Sequence, residues 1–231
     1  MPKTFSAEME VVLINSSGGL TGGDRMQWDI VAGADTAVTV TTQACEKIYK
    51  ASSDTAGVTT RLEAGPGAKL HWLPQETILF DKASLTRKLD VHLDQTAEFL
   101  AVEAVLLGRK AMGEAMTQGL FRDRWRIFRD GRLIHAEEAR LGGDISELTA
   151  KAPVLGGQVA FATLLYAGLC AEAMLPKVRL ALGENAGGAS VWQDKLVVRL
   201  VAPDGFALRK FLLPIISVLR NGAPVPKVWN L

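Results

Sequence analysis

Along the first 145 residues, apolar side chains recur at every second position. Met26, Trp28 and Ile30 alternate with Gln27 and Asp29, and Val38 and Val40 alternate with Thr39 and Thr41. Leu85, Leu89, Val91 and Leu93 share one parity, with Arg87 as its exception. Period two is the spacing of a half-buried strand, because successive side chains leave opposite faces. Asp130-Gly131 between apolar flanks is a hairpin signal. Helical spacing is scarce before residue 150. Beyond it, Val159, Leu164, Leu165 and Leu169 predict a buried helix over 157–174, ended by Pro176. Residues 196–201 predict a strand and Pro203-Asp204-Gly205 a turn. A second helix is predicted over 208–220, with Pro214 in its first turn or at a kink and Asn221-Gly222 as its stop.

The strand pattern also repeats. Residues 29–43 align without gaps on 61–75, with Ala32/Ala64, Gly33/Gly65 and Gln43/Gln75 identical and Ile30/Leu62, Val38/Leu70 and Val40/Trp72 alike. A fainter third copy runs through 92–102. Short strands in units of about 30 residues predict a chain coiled into stacked sheets. The expected fold is therefore mainly β, solenoid- or sandwich-like, with about two helices in the C-terminal third. With no Ser/Gly-rich linker, residues 1–231 are expected to form a single domain.

A net charge of +1 provides no electrostatic footprint for nucleic acid or an anionic membrane. Arg122, Arg124 and Arg126 alternate with Phe121, Asp123, Trp125 and Ile127, which makes them the outward face of a strand, either solvated or docking an acidic partner. Residues 152–171 carry no charge, but Pro153, Gly156, Gly157 and Gly168 favour a buried segment over a membrane span. Cys45 and Cys170 stand far apart and outside any CxxC, and residues 1–4 show no signal-peptide pattern. A reduced, cytoplasmic setting is expected.

Gly18, Gly19, Gly22 and Gly23, closed by Asp24, follow the apolar run 11–14. A phosphate cradle needs a Lys-Ser or Lys-Thr after the last glycine, or a helix opening on the loop. Here a strand pattern follows, so a tight strand-to-strand corner is expected. His71, His92 and His135 pair neither with one another nor with cysteine at ligand spacing. GxSxG is missing. These absences point away from an enzyme.

The blocks GGLTGGD at 18–24, TTQACEKIY at 41–49, LPQETILFD at 73–81, LGRKAMGE at 107–114 and PVPKVW at 224–229 occur in this order. Together they resemble the urease accessory protein UreD (UreH) family. The resemblance implies a non-catalytic scaffold that joins UreF and UreG on apo-urease, meets the urease structural subunits and assists nickel delivery. It also implies a largely β fold with helically coiled strands. UreD-like chains carry several tens of residues before the Gly-rich block. Only fourteen precede Asn15 here, so the expectation is either a true start further upstream or a shortened chain with unpaired sheet edges.

Nickel in transit calls for weak, reversible ligation, because a Cys/His cage would trap it. Among the motif carboxylates Asp24, Glu46, Glu76, Glu103 and Glu114, the residues chosen for a transient nickel route are Asp24, Glu76 and Glu103. Glu103 interrupts an otherwise apolar strand, where a carboxylate must be paired or face a wet cavity. The alternative for it is a salt bridge to Arg109 or Lys47. Further motif or partner candidates are Gly18, Gly19, Gly22, Gly23, Thr41, Thr42, Gln43, Lys47, Tyr49, Pro74, Gln75, Arg109 and Glu114. Pro74 marks either a docking edge or a break between two strands of one sheet. No tightly bound cofactor is expected. Rival readings are a small-molecule-binding β-protein or hydrolase using the 18–24 loop, and a bare structural solenoid.

Overall fold

The computed structural model describes residues 8–109, 112–184 and 187–230. The first residues and Lys110-Ala111 of the LGRKAMGE block therefore lie outside the described residues, as do the four positions read for a signal peptide. Two sheets carry the fold. The first joins β1 (Met9–Leu13), β3 (Ala37–Thr42), β6 (Lys69–Trp72), β9 (Glu98–Leu107), β12 (Ala160–Ala167), β14 (Lys195–Ala202) and β13 (Gly187–Trp192) in that spatial order. Short strands β4 (Glu46–Ile48) and β7 (Thr77–Leu79) extend it beside β9. The second sheet has the order β11 (Arg132–Asp144), β10 (Gln118–Arg129), β8 (Ser84–Leu93), β5 (Ala56–Ala64), β2 (Arg25–Ala32).

The chain coils between these sheets three times, and the sequence repeat is the register of the coil. At the 32-residue offset Ile30 pairs with Leu62 in the second sheet and Val38 with Leu70 in the first, both in parallel. The third copy follows, with Leu62 against Val91 and Leu70 against Phe99. Parallel in-register stacking places like residues over like, so each inward side chain meets an inward neighbour. Two apolar clusters fill the space between the sheets, one around Leu62, Leu70, Val91 and Phe99, the other around Ile48, Leu79, Leu85 and Phe121. The coil ends with the hairpin β10–β11. There Asp130 (φ 46°) and Gly131 (φ 73°) take the left-handed turn conformation that suits the strand twist.

The outer face of the first sheet is covered by α2 (Ala171–Leu182) and α3 (Gly205–Leu219), whose Val178, Leu182, Leu212 and Ile216 pack on Leu100, Val102, Leu164 and Val198. Asp204 caps α3 by accepting from the Ala207 amide at 2.8 Å. A short α1 (Ile145–Ala150) follows β11. The helix expected over 157–174 is instead strand β12 followed by the start of α2. Because β12 is paired on both sides and buried on both faces, its continuous apolar run carries no period-two signature. Pro176 and Pro214 sit inside α2 and α3 rather than at an end or in a first turn. Each forgoes one backbone hydrogen bond, a loss offset by the apolar face the helix buries.

On the outer face of the second sheet, Arg122 meets Glu138 at 2.7 Å and Arg124 meets Asp90 at 3.5 Å, so the arginine row is locally balanced. Leu70 is wholly buried between the sheets, whereas Val31 is 71% exposed. Leu70→Ala is expected to lower stability by about 3 kcal/mol through transfer and cavity costs. Val31→Ala should stay within about 0.5 kcal/mol of the parent, both read from urea unfolding midpoints.

Candidate functional site in a cavity between the sheets

Proline has no N–H to give a sheet, and the consequence is visible at Pro74. Strand β6 pairs Trp72 with Ala101, but β7 resumes with Thr77 against Val105, so the 73–76 segment carries one residue more than β9 opposite it. The expected strand break at Pro74 is thus a bulge within one sheet. The coil above breaks at the same level, between Thr42 and Glu46. Together the breaks open a cavity of about 160 Å³ between the sheets, lined by Thr42, Gln43, Gln75, Thr77, Arg87 and Glu103 among others. Gly18, Gly19, Asn15, Glu46 and Lys47 form its mouth. The glycine loop is the expected strand-to-strand corner. A Cβ on Gly19 would sit 2.5 Å from the Tyr49 ring and 2.6 Å from the Lys47 carbonyl, so only glycine lets the loop close against that strand.

Three buried charges meet here, of which Arg87 and Glu103 line the cavity. Arg87 on β8 donates from Nη1 to Glu103 Oε2 at 2.5 Å, and from Nη2 and Nε to Asp123 at 2.7 and 3.1 Å. Nη1 also lies 3.2 Å from Thr77 Oγ1. An indole steadies each carboxylate: Trp72 Nε1 donates to Glu103 Oε1 at 2.8 Å, and Trp125 Nε1 to Asp123 Oδ2 at 3.1 Å. Glu103 therefore pairs with Arg87. The salt bridge to Arg109 or Lys47 expected as its alternative does not form; Arg109 instead bonds Glu114 and lies over the Phe80 ring at 4.2 Å. Burial, reinforced by the Asp123 charge, outweighs Arg87 and pushes the Glu103 carboxyl up to about 7. Burial also raises Glu46, against a hydrogen bond from Asn15. It pushes the Cys45 thiol up to about 11, with help from the charge of Glu76.

On the other side of the bulge the C-terminal segment seals the sheet. Arg209 on α3 holds Glu76 at 2.6 and 2.9 Å, bonds the Gln75 side chain and donates to the Trp229 carbonyl at 3.1 Å. Trp229, buried, donates from Nε1 to the Leu73 carbonyl and towards Thr41 Oγ1.

The structure thus gathers Gly18, Gly19, Thr42, Gln43, Lys47, Pro74, Gln75 and Glu103 around one cavity. Glu76 and Thr41 stand on its sealed side. Asp24 is exposed and closes its own loop, accepting from the Thr21 amide at 2.8 Å. Gly22 and Gly23 belong to that loop, and Tyr49 donates to the Gly18 carbonyl at 3.2 Å. Arg109 and Glu114 form a separate pair near Asp81, whose amide donates to Glu114 at 3.1 Å. Arg87, Asp123 and Arg209 were not among the sequence candidates. Arg87 and Asp123 each interrupt an inward apolar parity, the same signal that singles out Glu103. Arg209 lies in an amphipathic helix, where an arginine carries no such mark.

Among the described residues, no group of three or more His, Cys, Asp or Glu side chains is arranged to hold a metal ion, and no helix is long and apolar enough to cross a membrane. Fold and site define a coiled-sheet protein with an interior cavity whose mainly apolar lining carries a few polar and charged side chains. Its family follows from comparison with known proteins. The family described as UreD urease accessory protein matches residues 2–230. The protein named urease accessory protein UreD from Agrobacterium fabrum is 71% identical over 231 residues, all of this chain and 81% of the relative. That of Rhizobium rhizogenes is 71% identical, over all of this chain and 85% of its own length. That of Mesorhizobium japonicum is 49% identical over 235 residues, covering all of this chain and 84% of its own length. The chain belongs to the UreD urease accessory protein family.

The Glu103 environment carries a pH signature. Its folded pKa, about 7, lies above the ordinary 4.5, so between those values the folded state binds more protons than the unfolded one. Stability from this group therefore falls as pH rises from about 4.5 to 7. Glu103→Gln is expected to flatten that limb, read as a smaller difference between unfolding midpoints at pH 5 and pH 7.5.

Proposed function

We propose that this protein is a cytoplasmic urease-maturation scaffold that binds apo-urease together with UreF and UreG, turns over no substrate itself and carries nickel as cargo past Glu103. The observation that carries the reading is the chain-long similarity to proteins named urease accessory protein UreD. The cavity supports the nickel step. It supplies carboxylate, amide and hydroxyl oxygens, which suit a divalent ion that must leave again. Its mouth carries Glu46 beside Asn15, and its floor carries Glu103. At an effective dielectric near 20, a carboxylate and a divalent ion about 4 Å apart attract by roughly 8 kcal/mol before desolvation. Even the fraction that survives desolvation draws a cation inward.

In this reading Glu103 contacts the cargo, Glu76 waits on the sealed side under Arg209, and Asp24 shapes the loop at the mouth. A second reading, binding of a small molecule beside the 18–24 loop, draws on the same cavity and on Trp28 and Trp72 in its lining. Co-purification with UreF separates the two, since a small-molecule binder has no need of that partner.

In cells at limiting nickel, Glu103→Gln is expected to lower the yield of active urease several-fold while the UreF-bound complex still forms. Glu76→Gln should have a smaller effect and Asp24→Asn the least. Normal activation by Glu103→Gln would remove Glu103 from the route. Parallel loss of complex and activation would assign it a structural role only.

A further inference from the structure

A second cavity, of about 420 Å³, lies on the outer face of the first sheet beside the ends of α2 and α3. Leu70 and Trp72 turn into the inter-sheet core, so His71 between them leaves β6 on the opposite side and reaches this cavity. Among the described residues, five buried side-chain nitrogens or oxygens make no hydrogen bond. Three of them, His71 Nε2, Tyr166 Oη and Arg220 Nε, belong to side chains that line this one cavity. All three residues are more than nine-tenths buried. Buried polar groups normally find partners, so three unmet ones around a single space point to a ligand.

Each of the three atoms is a donor. Arg220 Nε and Tyr166 Oη carry a hydrogen by their chemistry, and for His71 the neighbours decide it. Arg220 Nη1 lies 2.8 Å from Nδ1, nearer than Glu8 Oε1 at 3.4 Å, and a guanidinium can only donate. Nδ1 therefore accepts, and the ring hydrogen sits on Nε2. Thr39 at 2.7 Å and Glu8 at 3.0 Å hold the other Arg220 nitrogens, which leaves Nε spare. The twelve-residue helix α2 begins at the same cavity, and its N-cap Cys170 makes no side-chain hydrogen bond to the first turn. Its amides and the positive end of its dipole are therefore uncapped there. Lys69, Lys177 and Arg220 against Glu8 and Glu98 leave the lining with one positive charge in excess. Glu98 Oε1 stands 3.8 Å from His71 Nε2, beyond hydrogen-bond reach. The contact with His71 outweighs burial and holds the Glu98 carboxyl below its ordinary range, so it is an ionised acceptor at neutral pH.

We propose that this cavity binds a small oxyanion that carries a proton of its own, of which monobasic phosphate is the type. Its ionised oxygens accept from His71, Tyr166 and Arg220 at the N-terminus of α2, and its hydroxyl donates to Glu98. An anion without a proton sets oxygen lone pairs against the Glu98 carboxylate and binds worse. The excess of one positive charge matches a monoanion. The bound ion ties the sheet to the ends of both helices, on the opposite side of the sheet from the interior cavity.

The test is isothermal titration calorimetry of the purified chain with sodium phosphate in a chloride buffer at pH 6.5, with sodium sulfate as the comparison. One phosphate per chain is expected, with sulfate at least tenfold weaker. Tyr166→Phe removes one donor and almost no volume. Because Tyr166 Oη makes no hydrogen bond within the protein, the variant should keep the parent's unfolding midpoint without phosphate and bind phosphate about tenfold more weakly. Glu98 is only partly buried, so Glu98→Gln probes the site without opening the core; it should bring sulfate within a few-fold of phosphate. Absence of phosphate binding by the folded parent at millimolar concentration overturns the proposal. Unchanged phosphate binding by Tyr166→Phe overturns the site, and equal affinity of the parent for both ions overturns the proton-bearing class. Thermal unfolding gives a second measurement. Phosphate and sulfate both stabilise proteins non-specifically, so only an extra rise with phosphate that Tyr166→Phe loses supports the site. These readouts are independent of metal and of urease activation.

Discussion

Arg87 joins the two sheets at the level where the inter-sheet core passes from one apolar cluster to the other. Its own strand, β8, lies in the second sheet beside Asp123, its register partner on β10, while Glu103 and Thr77 reach it from the first. Removing one member of such a group leaves an unpaired charge away from water, a loss of about 3–5 kcal/mol. The whole group adds far less than that to stability, since desolvation offsets most of its Coulomb energy. What it specifies is alignment. A sheet shifted by one residue would point Arg87, Asp123 or Glu103 outward and bring an apolar neighbour in against the remaining charges.

The coil makes that alignment easy to reach. In a parallel, in-register stack an inward position on one strand faces an inward position on the next, so polar residues that interrupt the apolar parity collect at one height. The bulge at Pro74 falls at that height as well, and the break between Thr42 and Glu46 stacks on it. Cavity and charge cluster therefore share a cause. Where the ladder skips, backbone groups lose strand partners, and nearby side chains and bound polar groups must replace them. Thr42 does so by accepting from the Gln75 amide at 2.9 Å.

This geometry explains how far the sequence could be read. The alignment of 29–43 on 61–75 is legible because one physical relation, vertical stacking, constrains both copies, and the observed register has the same offset. Strand β12 is not legible in this way. Helices cover one face and the second sheet the other, so the alternation that marks a strand disappears and the run resembles a buried helix. The site is half legible on similar grounds. Glu103 stands out against an apolar strand, and Arg87 and Asp123 break their own parities. That the three meet depends on pairing between strands far apart in sequence, which no local pattern encodes. Asp24 shares its motif block with the cavity residues Gly18 and Gly19, yet it serves its own loop, because neighbours along a chain leave a strand end in different directions.

Chemistry in the cavity is restricted by the same burial that makes its charges conspicuous. Cys45 belongs to the lining, and burial together with the Glu76 charge pushes its thiol up to about 11, so without a cation beside it the side chain stays protonated at neutral pH. The three histidines lie on strands elsewhere, and none lines this cavity. On the proposed route most donors are carboxylate, amide and hydroxyl oxygens, whose hold on a late first-row metal is weaker than that of thiolate or imidazole.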